Sequence, residues 1–218
     1  MKNLLIVESP TKARTLKKYL GMDFDVLASS GHIKDLPKKE LGIDIEGGFE
    51  TKYQYLPGKK KIVDELKKAS KDADKIYIAS DPDREGEAIA WHIYNELKKK
   101  KNVYRALFYE ITKDAVEKGI KNPVDIDLKK VESQKSRRIL DRLVGYLISP
   151  LLWKPLKYGL SAGRVQTAAL RLICEREEAI EAFKPEEYWN IIAEVAFNAF
   201  NFEAKLVKEN NKKITIKT

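Results

Sequence analysis

The sequence predicts an α/β unit, a parallel sheet with helices on both faces, followed by a helical segment and the start of a β-rich unit. Three observations lead there. Short apolar runs alternate with amphipathic stretches of helical length up to residue 121, which is the pattern of buried strands joined by crossover helices. From Leu128 the spacing turns to long helical periodicity. After Pro185 it turns to simple alternation, with Trp189, Ile191, Ala193, Val195 and Phe197, then Phe200 and Phe202. The boundaries are placed at 1–124, 125–185 and 186–218, with Asn122-Pro123 marking the first.

Lys2 to Val7 reads as the first strand. Ser9 is a suitable helix N-cap, Pro10 suits the first helical position, and Gly21 stops the helix. Thr15, Leu16, Tyr19 and Leu20 supply its inner face. Phe24 to Ala28 is a second strand, and Ser29 to Pro37 (SSGHIKDLP) a loop. Leu41 to Pro57 is hairpin-like, with a turn at Gly47-Gly48. Lys59 to Ala69 is an amphipathic helix with a solvated lysine face. Ile76 to Ala79 is a buried strand, and Ala88 to Ile93 lies on the helix after it, which ends in the solvated run Lys98 to Lys101. Val103 to Tyr109 is a strand, and Thr112 opens a helix to Ile120. Beyond Leu128, the residues Ile139, Leu140, Leu143, Val144, Leu147 and Leu151 form an apolar stripe. Arg138, Arg142 and Tyr146 share another face of that helix. Ser161 is expected to cap a helix that runs through Phe183.

The chain has 218 residues, an apolar fraction of 43% and a net charge of +9. Between Lys129 and Arg171 ten basic residues face two acidic ones, so nearly all the net charge is concentrated there. A localised basic surface that uses arginine suits a polyanionic partner. The single cysteine, Cys174, excludes an internal disulfide and a cysteine zinc cage, and reads as a small core residue on an apolar helix face. No signal peptide precedes Leu4 and no apolar run approaches membrane-spanning length, so a cytoplasmic, nucleoid-associated protein without a membrane partner is expected.

The chemistry centres on Lys75 to His92, KIYIASDPDREGEAIAWH. Asp81, Asp83, Glu85 and Glu87 crowd the junction of a strand and a helix. Ligands of open α/β sheets bind at such carboxyl ends. Acidic residues in a first helical turn also suit the helix dipole for structural reasons alone. Carboxylates so close repel one another unless a cation intervenes, and hard oxygen ligands suit Mg²⁺. An EF-hand loop is excluded, because its twelfth position is His92 rather than glutamate and a strand precedes it. Lys12 lies in a first helical turn, where a cation opposes the dipole. Beside Glu8 that placement suits a bound anion. His92, two turns after Glu85, is expected to be packed.

Glu8 after LLIV and the Asp-x-Asp-x-Glu of Asp81, Asp83 and Glu85 resemble the toprim domain. DPDREGEAIAWHI, VESPTKA, SSGHIKDLP and GLSAGRVQTAALRLICERE together resemble bacterial topoisomerase I, the type IA DNA topoisomerase family, over Lys2 to at least Trp189. Topoisomerase III shares the acidic motif, but AIAWHI and GLSAGRVQTAALRLI are more similar to topoisomerase I; the alternatives are a toprim primase or nuclease, against which the SAGRVQ stretch argues, and a non-catalytic DNA-binding fragment.

The resemblance implies ATP-independent relaxation of negatively supercoiled DNA through a transient single-strand break held as a 5′-phosphotyrosine. It implies Glu8, Lys12 and Asp83 as catalytic residues, with Glu8 as general acid on cutting and general base on sealing. It implies Mg²⁺ at Glu8, Asp81, Asp83 and Glu85. The DNA-binding residues it implies are His32, Arg137, Arg138, Asp141, Arg142, Tyr146, Ser161, Arg164 and Gln166, along a single-strand groove. The pattern departs from the family in one respect. None of the ten tyrosines stands in the family's Thr-Tyr-x-Arg-Thr-Asp-Ser context. The expectation is therefore the N-terminal part of a monomeric enzyme: a toprim domain, the first part of a helical DNA-binding domain and the start of a β-rich arch. The remainder of the polypeptide would carry the nucleophile, and this part alone would not relax DNA.

Overall fold

The computed structural model describes residues 2–98, 102–198, 200–214 and 216. Most of the expected solvated run Lys98 to Lys101 lies outside them. The chain forms two compact units, Met1–Arg164 and Val165–Thr218. No helix among the described residues is long and apolar enough to cross a membrane.

The first unit contains β1 (Lys2–Val7), α1 (Pro10–Leu20), β2 (Phe24–Ala28), β3 (Lys34–Asp35), β4 (Ile43–Asp44), β5 (Glu50–Thr51) and β6 (Gln54–Tyr55). It continues with α2 (Lys59–Ala69), β7 (Ala73–Ile78), α3 (Arg84–Leu97), β8 (Val103–Arg105), α4 (Lys113–Lys121) and α5 (Leu128–Trp153). The main sheet has the order β2-β1-β7-β8, and every pairing is parallel. Side chains of a strand alternate between its faces, so β1 supplies two cores. Leu4 and Ile6 pack with Val63 and Leu66 of α2 and with Ile89 and Ile93 of α3. Leu5 and Val7 pack with Leu16 of α1 and Val116 of α4. Both faces are covered, and the near-continuous apolar runs of β1 and β7 are explained.

The helix starts follow local chemistry. Ser9 caps α1 by accepting from the Lys12 N–H at 3.2 Å, Pro10 opens it, and Gly21 ends it at φ 64°. Thr112 caps α4, and Asp127 caps α5 through the N–H groups of Lys129 and Lys130. The expected hairpin is β4–β5. Its turn is closed by the Gly47 N–H donating to Asp44 Oδ1 at 2.9 Å.

Four expectations are corrected. β8 ends at Arg105 rather than Tyr109, because β7 stops at Ile78 and leaves no partner further along; Arg105 bridges Val124 instead. The helix after Leu160, α6, starts at Arg164 and not beside Ser161. There the Ala162 N–H donates to Ser149 Oγ at 3.0 Å. The apolar stripe of α5 is only partly buried. Ile139 and Leu143 pack with Leu36 and Ile43, whereas Leu140, Leu147 and Leu151 are exposed, because that small core covers only one part of the helix.

The second unit holds nearly all of α6 (Arg164–Glu181), then β9 (Ile192–Phe197), β10 (Phe200–Lys205), β11 (Lys208–Glu209) and β12 (Lys212–Lys213). The alternation after Pro185 predicts strands, and the structure pairs β9 with β10 and β11 with β12, both antiparallel. The fourth correction falls here. Cys174 is exposed rather than packed, since no residue of α6 is buried among those described.

Candidate metal and nucleic-acid site

β1 and β7 are adjacent and parallel, so their carboxyl ends open on the same edge of the sheet. Glu8 follows β1 directly, and Asp81 lies three residues beyond β7. The Lys12 ammonium, brought round by the first turn of α1, donates to Glu8 Oε1 at 2.6 Å and to Asp81 Oδ1. Burial pulls the Lys12 pKa down, but the two carboxylates outweigh it and the pKa rises. Burial pushes the Asp81 carboxyl up, and Lys12 more than offsets this, holding it below the ordinary carboxylate range. The unfavourable position of Lys12 against the helix dipole is thus compensated by two acidic partners.

The other carboxylates of the motif have separate tasks. Asp83 caps α3, its Oδ1 accepting from the Gly86 N–H at 2.7 Å. Glu85 Oε2 lies 3.4 Å from His32 Nε2 and accepts from Gln134 Nε2 at 3.2 Å. Glu87 is buried and paired with Arg105, whose Nε donates to Glu87 Oε2 at 3.0 Å.

Arg105 was not anticipated from the sequence. Its Nη1 donates to the carbonyls of Ile78 and Ala106, and its Nη2 to the Asp81 carbonyl at 2.9 Å. Glu87 Oε1 in turn accepts from the Asp127 N–H at 2.9 Å, at the start of α5. One buried ion pair therefore fixes the backbone of the acidic loop and the start of the long helix. Burial lowers the Arg105 pKa, and Glu87 opposes that shift. The available signal was an arginine inside the apolar run Val103 to Phe108, at the carboxyl end of a parallel strand.

Helix α5 lies across α3 and reaches the acidic loop, where Lys130 Nζ donates to the Pro82 carbonyl at 3.1 Å. A cleft of about 380 Å³ beside it is lined by His32, Asp35, Glu85, Gln134, Arg137 and Arg138, among others. Arg138 grips Asp35 with two bonds, Nε to Oδ1 at 2.9 Å and Nη2 to Oδ2 at 2.6 Å. Arg142 Nη1 donates to the Pro37 carbonyl at 2.7 Å, and the Tyr146 hydroxyl to the Lys38 carbonyl at 2.8 Å. The face shared by Arg138, Arg142 and Tyr146 is real, and it meets the loop that carries His32. Arg137 and Arg164 both approach Asp141, at 3.8 and 3.2 Å. Ser161 lies in the non-helical stretch before α6, and Gln166 is on the first turn of α6, in the second unit.

His92 is packed, with 5% of its surface exposed and its ring edge-on to Tyr53 at 4.6 Å. Burial, helped by the charges of His32 and Lys34, pulls its pKa down to about 4.

Among the described residues no three His, Cys, Asp or Glu side chains converge as a ready metal cage. The Lys12 ammonium occupies the place of a cation between Glu8 and Asp81. The donors are hard carboxylate oxygens at an open sheet edge, which fits a divalent ion that keeps much of its water, as Mg²⁺ does.

Residues 3–111 match the family described as Toprim domain, and residues 125–218 the family described as DNA topoisomerase. The chain is similar to full-length topoisomerase I from Thermotoga maritima, with 46% identity and a TM-score of 0.77 over 97% of its residues. The chain belongs to the bacterial type IA DNA topoisomerase family. It spans 35% of the length of the Thermotoga protein. In this topoisomerase-family chain the toprim match covers the parallel sheet, and the second match begins just before α5 and continues through the β9–β10 pair.

Proposed function

We propose that this chain is the metal-holding and strand-gripping part of an ATP-independent type IA topoisomerase that relaxes negatively supercoiled DNA by single-strand cleavage and resealing. The observation that carries the reading is the Glu8–Lys12–Asp81 cluster at the carboxyl ends of two adjacent parallel strands. Glu85 extends the same acidic loop to the cleft beside α5.

In this reading Glu8 protonates the departing 3′ oxygen on cutting and takes the proton back on sealing. Lys12, already bonded to Glu8, steadies that carboxylate and offers positive charge to the scissile phosphate. Asp81, Asp83 and Glu85, with Glu8, are the residues that would hold Mg²⁺. When bound, the ion supplies charge that draws the 3′ end into line for resealing. Asp83 also keeps its place as the cap of α3, so its position is set by the helix it begins. Arg137, Arg138, Arg142 and Tyr146 on α5, with His32, Asp141, Ser161, Arg164 and Gln166, contact the single-stranded segment. The functional modules follow 1–124, 125–185 and 186–218. The protein is a cytoplasmic monomer, and its tyrosine nucleophile lies outside these 218 residues.

The test is an end-labelled single-stranded oligonucleotide incubated with the purified chain and Mg²⁺. The expected result is retention on a native gel and no covalent band after denaturing quench. A covalent adduct mapping to a tyrosine of this chain, or relaxation of a supercoiled plasmid, refutes the assignment of the nucleophile. Failure to retain the oligonucleotide refutes the strand-gripping role.

A further inference from the structure

The arginine face of α5 is held by a single loop. Asp35 takes Arg138 through two parallel bonds, Nε–Oδ1 at 2.9 Å and Nη2–Oδ2 at 2.6 Å, which fixes the plane of the guanidinium. One turn on, Arg142 Nη1 donates to the carbonyls of Pro37 at 2.7 Å and Glu40 at 3.3 Å. Another turn on, the Tyr146 hydroxyl donates to the Lys38 carbonyl at 2.8 Å and accepts from Arg142 Nη1 at 3.2 Å. Three side chains at four-residue spacing are therefore set by residues 35–40.

The loop is itself anchored. The Leu36 N–H donates to Asp35 Oδ1 at 2.8 Å, and the Leu36 side chain is buried with Ile43 and Ile139. Asp35 is thus a carboxylate whose direction is fixed by its own backbone and core. The hydrogen bonds from Arg138 and Leu36 also keep it ionised: burial alone would push its pKa up, and these bonds bring it below the ordinary range.

We propose that Asp35 is a positioning residue for strand binding, which holds Arg138 so that the guanidinium edge opposite the carboxylate is presented to a phosphate of single-stranded DNA. This rests on the strand-gripping reading of α5. An arginine left to itself samples many rotamers and must be ordered when it meets a phosphate; one already held in a single orientation avoids that cost. The rival physical picture makes Asp35 a competitor, a carboxylate occupying the fork that phosphate wants. The two pictures give opposite signs. The anchoring of Asp35 by Leu36 and the parallel anchoring of Arg142 and Tyr146 favour positioning, because a competitor would have no need of a rigid seat.

The experiment uses the 218-residue chain and a fluorescein-labelled single-stranded DNA oligonucleotide, with anisotropy titrations at several NaCl concentrations. D35N, D35E, R138A and the double variant D35N/R138A are compared. D35N is expected to weaken binding by about tenfold and to lower the salt slope by about one, close to R138A itself. D35E, which keeps the charge but moves it by a methylene, is expected to weaken binding less. D35N in the R138A background is expected to add nothing, and a purely structural role would not show that non-additivity. Unchanged or tighter binding in D35N, or a further loss in the double variant, overturns the proposal. If R138A leaves affinity and salt slope unchanged, the strand-gripping reading fails and this inference fails with it. If R138A weakens binding and D35N does not, the inference alone fails.

Discussion

Replacing Gly86 with alanine is expected to destabilise the first unit, although in most helices the same change stabilises. Gly86 is the third residue of α3, and its φ is not in the left-handed region, so conformational freedom is not its reason. Space is the reason. A Cβ at this position would stand 2.1 Å from the Asp81 carbonyl oxygen and 2.8 Å from both the carbonyl carbon and the nitrogen of Asp81. Ordinary contact begins near 3.4 Å, so more than 1 Å must be relieved. The obstacle is backbone, and it is held in place. Arg105 Nη2 donates to that same carbonyl at 2.9 Å, and Ser80 Oγ donates to the Gly86 carbonyl at 2.5 Å. Overpacking of this kind costs about 1–3 kcal/mol. The helical gain of alanine over glycine offsets about 0.5–1 kcal/mol of that. The net expectation is a loss of about 1–2 kcal/mol, seen as a lower urea midpoint with an unchanged slope by near-UV circular dichroism. The sign decides the matter: a G86A protein as stable as the parent, or more so, refutes the close approach of α3 to Asp81.

Three further outcomes are expected. R105A leaves Glu87 buried without its partner and is expected to cost about 3–5 kcal/mol, with E87Q costing less because an amide oxygen can still accept from Arg105; urea unfolding with R105A near the parent midpoint would sink the pairing argument. His92 has a folded pKa of about 4 against 6.5 unfolded, so between those values the unfolded chain binds the extra proton and stability falls as pH falls. That loss reaches at most about 3 kcal/mol near pH 4, and H92Q is expected to flatten this part of the pH–stability curve; a parallel curve refutes it. D81N combined with D83N is expected to weaken Mg²⁺ binding in a calorimetric titration while sparing the fold, since asparagine caps a helix about as well as aspartate. An unchanged Mg²⁺ isotherm removes these residues from the ligand set.

Much of the site could be read locally. The Ser9–Pro10–Gly21 punctuation placed α1 to the residue, and the apolar runs before Glu8 and Asp81 placed both carboxylates at strand ends. Those are short-range effects of caps, fixed proline φ and side-chain periodicity. The partners of the arginines were not legible in the same way. Pairing within the helix describes Arg137 with Asp141, four residues apart, but Arg138 pairs with Asp35, 103 residues away. The end of β8 was likewise set by where its neighbour β7 stops, which no feature of Val103 to Tyr109 encodes.

The sequence by itself determined the order of the long strands and helices, the family, and the residue types at the acidic centre, but not the short β3–β6 pairing. Each of these depends on nearest neighbours along the chain or on a motif read in order. Only the tertiary structure decided how the motif's carboxylates are divided. Asp81 goes to Lys12, Asp83 to its helix cap, Glu85 to His32 and Gln134, and Glu87 to Arg105. Spacing of one residue in Asp-x-Asp-x-Glu-x-Glu gives four chemically similar groups. Their separation comes from the turn between β7 and α3, which points each one at a different neighbour, and from the long-range contacts that wait there.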